Sequence, residues 1–124
     1  MIDFENGKVI KLHRDSKTRE KDVDALLIDG ENVIGSYTSV RDFVVFTDKR
    51  IISVNKQGVT GTRRDFTSMP YKSIVIFSVE TAGAGGYDSE LELYFAGVGK
   101  VRFEFSGMSD IVEIGQAISA YVLG

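Results

Sequence analysis

The sequence of 124 residues predicts a mainly β domain closed by one C-terminal α-helix. Three observations carry that prediction. From Asn32 onward, short runs of β-branched and aromatic residues are divided by polar pairs or glycine-containing turns, as in consecutive hairpins. In residues 90–95 and 101–105 the apolar side chains fall on every second position. After Gly107 the apolar spacing changes to three and four residues, the period of a helix with one face on a core.

The first part of the chain reads differently from the rest. Residues 11–24 hold ten charged or histidine side chains and few apolar ones. Residues 1–24 are therefore expected to be an N-terminal arm or short helix, mobile at its start. Asp22 is expected to cap a turn that carries Val23, Leu26 and Leu27 inward. The folded domain is expected over residues 25–124. Gly30 gives a turn before a strand in residues 33–40. Phe43-Val44-Val45-Phe46-Thr47 follows, and Asp48-Lys49 is a tight connection to the strand beginning at Arg50. Gly58 and Gly61 sit in a longer turn, where glycine can take positive φ without steric cost. Residues 63–68 make a short strand stopped by Pro70, and residues 74–79 make another, ending in the loop Ala82-Gly83-Ala84-Gly85-Gly86.

The alternation then becomes regular. Leu91, Leu93 and Phe95 point inward, with Glu90, Glu92 and Tyr94 outward. After Gly97-Val98-Gly99, Val101, Phe103 and Phe105 point inward. Ser109 is expected to cap the helix, with Asp110 in its first turn, and Ile111, Ile114, Gly115, Ile118 and Val122 form its apolar face. About seven strands and one helix result.

Composition excludes several classes of function. There is no cysteine, so disulfides, thiolate metal sites and thiol nucleophiles are absent. His13 is the sole histidine, which rules out His-based triads and multi-His metal sites within one chain. No metal, cofactor or catalytic residue is expected. A net charge of −3 argues against nucleic acid as a partner. The N-terminus lacks a signal-like apolar core, and no run approaches the ~18 residues of a membrane helix, so a cytoplasmic protein is expected.

Four features invite a chemical reading and are better explained without one. His13 lies in a charged stretch, with no pocket to perturb it. Gly83-Ala84-Gly85-Gly86 leads into a strand, so it lacks the helix N-terminus and Lys-Ser/Thr of a phosphate loop. Arg63 and Arg64 form the densest basic region with Lys49, Arg50 and Lys56, but Asp48 and Asp65 dilute it and charge commonly blunts a sheet edge. Glu90 and Glu92 share the solvent face of a strand, opposite Lys100, Arg102 and Glu104.

Certain residues go further. Leu26-Leu27-Ile28-Asp29-Gly30-Glu31, then Arg41-Asp42-Phe43-Val44-Val45-Phe46-Thr47-Asp48-Lys49-Arg50-Ile51-Ile52, resembles the "LL..GE…RD..V.T.KR" pattern of the bacterial pleckstrin homology (PH) domain family. Ser78-Val79-Glu80-Thr81-Ala82-Gly83 and Ser89-Glu90-Leu91-Glu92-Leu93 also read like its stand-alone members. The resemblance covers residues 26–123. It implies a PH-like barrel of two near-orthogonal antiparallel sheets capped by the helix, no enzymatic activity, and homo-oligomeric rings as a recurring form. Lipid binding does not carry over, because the first hairpin loop offers only Ser39, Val40, Arg41 and Asp42.

A non-catalytic module acting by homo-oligomerisation or protein–protein binding is the expected function. A peripheral membrane or lipid-headgroup module is the alternative, although a membrane lipid is not the expected partner. The expected partner is a second copy of the chain, in a ring, or another protein. Phe43-Val44-Val45-Phe46 and Ile74-Val75-Ile76-Phe77 carry apolar side chains toward both faces, and one face of each needs cover. The interaction surface is accordingly expected at Phe43, Val45, Ile74 and Ile76, with Arg63 and Arg64. The alternative cover is the N-terminal helix around Val23, Leu26 and Leu27.

Overall fold

The computed structural model describes residues 1–15, 20–40, 42–57, 63–81, 88–107 and 109–124. These form eight strands: β1 (Gly7–Arg14), β2 (Val33–Thr38), β3 (Asp42–Thr47), β4 (Arg50–Gln57), β5 (Arg63–Pro70), β6 (Ile74–Glu80), β7 (Ser89–Phe95) and β8 (Gly99–Phe105). One α-helix, α1 (Ile111–Leu123), ends the chain, and 3-10 helices occupy Glu20–Leu26 and Tyr71–Ser73. The strand order is β5-β4-β3-β2-β1-β8-β7-β6. Strands β5 and β6 thus lie at opposite ends of that order, yet only a three-residue helix joins them. The sheet must curl until its two edges meet at that corner, which makes a barrel.

Aromatic and aliphatic side chains from both halves fill its interior. Phe46 on β3 meets Phe103 on β8 with ring centroids 5.9 Å apart, and Tyr37 on β2 meets Phe105 at 4.8 Å. Leu91, Leu93, Phe95, Val101, Phe103 and Phe105 are all buried, as the alternation predicts. Ile111, Ile114 and Ile118 are the buried residues of α1, so the helix plugs the barrel with its predicted face. The mainly β, helix-capped, PH-like architecture stands as expected.

Three expectations are corrected. Residues 7–14, expected in a mobile arm, are strand β1, and they raise the strand count from about seven to eight. This strand pairs antiparallel with β2 and parallel with β8, so it joins the two halves. Its period was broken by a bulge: the register shifts between Val9 and Leu12, and Lys11 has φ 56°. Ser109 does not cap α1. Asp110 holds that place without a side-chain cap bond, while the Ser109 hydroxyl lies 3.0 Å from that of Ser89. The predicted short helix exists as Glu20–Leu26, but Asp22 lies within it and Leu26 is exposed. The loops at 58–62 and 82–87 lie outside the described residues, as does Arg41.

The parallel β1–β8 junction depends on one glycine. Gly99 has φ 140°, and a Cβ there would stand 2.1 Å from the carbonyl oxygen of Phe4. That same carbonyl accepts the Lys100 N–H at 2.8 Å, which ties the segment before β1 to the start of β8.

Candidate interaction surface

The six residues expected at a surface separate into three situations. Phe43 and Val45 point away from the barrel interior, but they are buried within the chain. They form a second cluster with Val23, Ile52 and Val54, and half-buried Leu27 and Val33 pack on its rim. The expectation of an exposed contact at these two residues is therefore corrected. The 3-10 helix places Val23 over them, as the alternative reading foresaw. Ile74 is also buried, facing the main core.

Ile76 is different. A register shift between Ile74 and Ile76 puts both Val75 and Ile76 outside, at 55% and 63% exposure. Tyr94, directly opposite Ile76 on β7, is also exposed, and the Lys100 ammonium stands 5.8 Å from its ring. Arg63 and Arg64 are both exposed at the start of β5, the other edge of the sheet. Arg64 lies 3.5 Å from Asp22. The reading of β5 as a solvated, charge-blunted edge fits this placement.

The 3-10 cover is fastened by the residues that carried the family resemblance. The Glu31 side chain is almost fully buried, accepting from Arg50 Nε at 2.9 Å and Nη2 at 3.0 Å. Thr47 Oγ1 donates to Glu31 at 2.7 Å and accepts the N–H groups of Lys49 and Arg50, closing the β3–β4 turn. Arg50 also donates to the Leu26 carbonyl at the end of the 3-10 helix. Burial pushes the Glu31 carboxyl up, but the hydrogen bonds from Arg50, Thr47 and the Ile28 N–H outweigh it and hold it below the usual carboxylate range. Glu31, Thr47 and Arg50 of that pattern thus form a bidentate clasp.

Several other charged groups are likewise committed to structure. His13 is exposed on β1. Glu90 and Glu92 both meet Arg102 across the β7–β8 pair at 2.9 Å, and Glu104 meets Lys8 at 3.2 Å. Glu90 and Glu104, with Glu80 and Asp88, border a polar hollow of about 420 Å³ beside Lys11. Asp110 accepts from Arg14 and from the Tyr37 hydroxyl, which itself accepts the Asp110 N–H at 2.7 Å. Burial pushes the Tyr37 phenol up to about 12. No group of His, Asp and Glu able to hold a metal occurs among the described residues, and none of their helices is long and apolar enough to cross a membrane.

The profile of the bacterial PH domain family matches residues 3–122 of this chain. Among curated proteins, the uncharacterized protein YjqA of Bacillus subtilis is 45% identical over 97 residues, 77% of this chain and 78% of its own length. The uncharacterized protein YozO of the same organism is 28% identical over 105 residues, 85% and 90% of the two chains. A crystal structure of a DUF1696 family protein with a pleckstrin-homology domain from Shewanella loihica superposes with a TM-score of 0.73 at 33% identity, covering 91% of this chain and 98% of that one. A pleckstrin homology domain from Shewanella amazonensis gives 0.61 at 40% identity, with coverage of 89% and 90%.

Proposed function

From the premise that this chain belongs to the bacterial PH domain family, we propose that it is a non-catalytic module that works by pairing with copies of itself. The observation that carries this reading is β6. It is an edge strand with exposed Val75 and Ile76, beside exposed Tyr94 on β7. An edge leaves backbone N–H and C=O groups without strand partners, and natural edges are usually blunted by charge; the first half of β6 carries none.

A second copy suits this edge because the opposite edge complements it. Strand β5 begins with exposed Arg63 and Arg64 and continues to partly exposed Phe66. Strand β6 ends in exposed Glu80. An antiparallel approach of β5 on one copy to β6 on the next sets the arginines near Glu80 and Phe66 near Ile76. Such a contact is heterologous, and closes into a ring when the rotation between copies divides a full turn. The lipid-headgroup alternative rests on fold alone, which is a weak guide to function.

Solution mass across a wide dilution range tests the reading. The wild-type chain is expected to be larger than one copy at high micromolar concentration, and Ile76→Asp to be monomeric with an unchanged circular dichroism spectrum. A monomeric wild-type mass overturns it.

A further inference from the structure

We propose that a cleft at the corner of the barrel, apart from β6, binds a small organic phosphate monoester. The cleft has a volume of about 320 Å³ and lies where the β3–β4 turn, the start of the second 3-10 helix and the end of α1 converge. Its apolar wall is Ile28, Pro70 and the ring of Tyr121, and its charged lining is Lys49, Arg50, Lys72 and the carboxylate of Glu31. The platform is fixed: the Tyr71 N–H donates to the Lys49 carbonyl at 3.1 Å, and the rings of Tyr71 and Tyr121 stand 6.1 Å apart.

The charges at this corner are already sorted. Arg50 spends four of its five N–H groups on Glu31, Ser68 and the Leu26 carbonyl, and its charge is matched by the Glu31 carboxylate. Asp48 accepts from the Asn32 N–H and side-chain amide. What is left is Lys49 and Lys72, neither of which has a carboxylate in ion-pair contact among the described residues. Lys49 donates to the Tyr121 hydroxyl at 3.0 Å, which aims its ammonium at the cleft. Tyr121 engages Lys49, and Lys72 has no hydrogen bond or ion pair among the described residues. With Arg50 matched by Glu31, the corner sets Lys49 and Lys72 against Asp48, a single positive excess in a chain whose net charge is −3.

The chemistry of the ligand follows from the kind of cation. The bidentate fork of an arginine suits carboxylates and phosphates alike, and the arginine here is spent on Glu31, which leaves lysines to bind an anion. Two separate ammonium groups are point charges, and they match the dianionic head of a phosphate monoester with oxygens to share between them. The exposed Tyr121 ring and Ile28 then take an apolar or aromatic group beside the phosphate.

Calorimetric titration with phenyl phosphate and with inorganic phosphate tests this on the full chain. Phenyl phosphate is expected to bind saturably with a Kd on the order of 1 mM, weakening as salt rises. Lys49→Ala and Lys72→Ala should each weaken it by about fivefold or more, and Tyr121→Ala should weaken phenyl phosphate more than inorganic phosphate. Lys100→Ala, at the outer face of β8, should leave binding unchanged. All four residues are at least partly exposed, so the variants should fold, which thermal melts verify. Vesicles of phosphatidylcholine with and without phosphatidic acid distinguish the source of the phosphate. Capture only by phosphatidic acid, displaced by phenyl phosphate, supports the site and points to a lipid. Phenyl phosphate binding without capture supports it and points to a soluble ester. Absence of saturable binding, or binding unaltered in the Lys49→Ala/Lys72→Ala double variant, overturns the proposal.

Discussion

Strands β3 and β6 carry four-residue apolar runs of similar composition, Phe43-Val44-Val45-Phe46 and Ile74-Val75-Ile76-Phe77, and meet opposite fates. Strand β3 lies between β2 and β4, so its backbone is paired on both sides, and all four side chains of its run are buried. Val44 and Phe46 face the barrel, while Phe43 and Val45 lie under Val23. Strand β6 has a strand neighbour on one side only, and a bulge turns two consecutive apolar residues outward. The difference lies in cover. The 3-10 helix that shields β3 is clasped down by Glu31 and Arg50, and among the described residues no comparable segment covers Val75 and Ile76.

The largest test of this contrast places the same charge in both runs. Val45→Asp buries an unpaired carboxylate beneath the 3-10 helix and is expected to cost about 4 kcal/mol or more, enough to unfold a domain of this size. Ile76→Asp adds the same charge at an exposed edge and should change the stability of the monomer by less than about 0.5 kcal/mol. Urea denaturation of the two variants checks this. Equal losses would mean that β6 is covered as thoroughly as β3.

A smaller loss is expected from thinning the cover itself. Val23→Ala removes two methyl groups from a fully buried site and should cost about 2 kcal/mol by urea melts. The clasp adds a dependence on pH. The Glu31 carboxyl sits below its ordinary value of 4.5 in the folded chain. Its contribution is therefore complete above that ordinary value and is lost as pH falls through the depressed folded value. Glu31→Gln should lower stability at neutral pH and flatten the acid side of the stability profile. An unchanged slope between pH 5 and about pH 3 would show that the clasp does not hold the cover.

The contrast also marks what the sequence could show. Regular alternation in β7 and β8 and the three- and four-residue spacing of α1 read directly, because each such element has one buried face. Strand β1 was hidden by its bulge at Lys11, which breaks the period of two. Apolar side chains on both faces were legible in β3 and β6 as four-residue runs, but not which run is covered, because that depends on which strands end at an edge. The Glu31–Arg50 clasp was visible as a motif and not as a contact. Its residues are 19 positions apart, and only the β3–β4 turn brings them together. The phosphate cleft gave no sequence signal, since Lys49, Lys72 and Tyr121 come from three separate elements.

The most delicate test leaves every residue in place and compares the two strands by amide exchange. Exchange reports how often a backbone hydrogen bond opens, and an N–H with no strand partner exchanges through solvent contact alone. In β3 the amides are held by β2 and β4 of the same chain, so their exchange should not depend on protein concentration. In β6 the amides that face away from β7 have no partner strand among the described residues. If copies associate along that edge, those amides gain partners only in the assembly, and their exchange should slow by about tenfold or more as concentration rises through the association range. Amides of β6 that face β7 serve as the internal reference, being bonded in either state. Exchange at the outer amides that is the same at every concentration, in a sample whose mass does rise, would place the contact elsewhere and leave the exposure of Val75 and Ile76 without a partner.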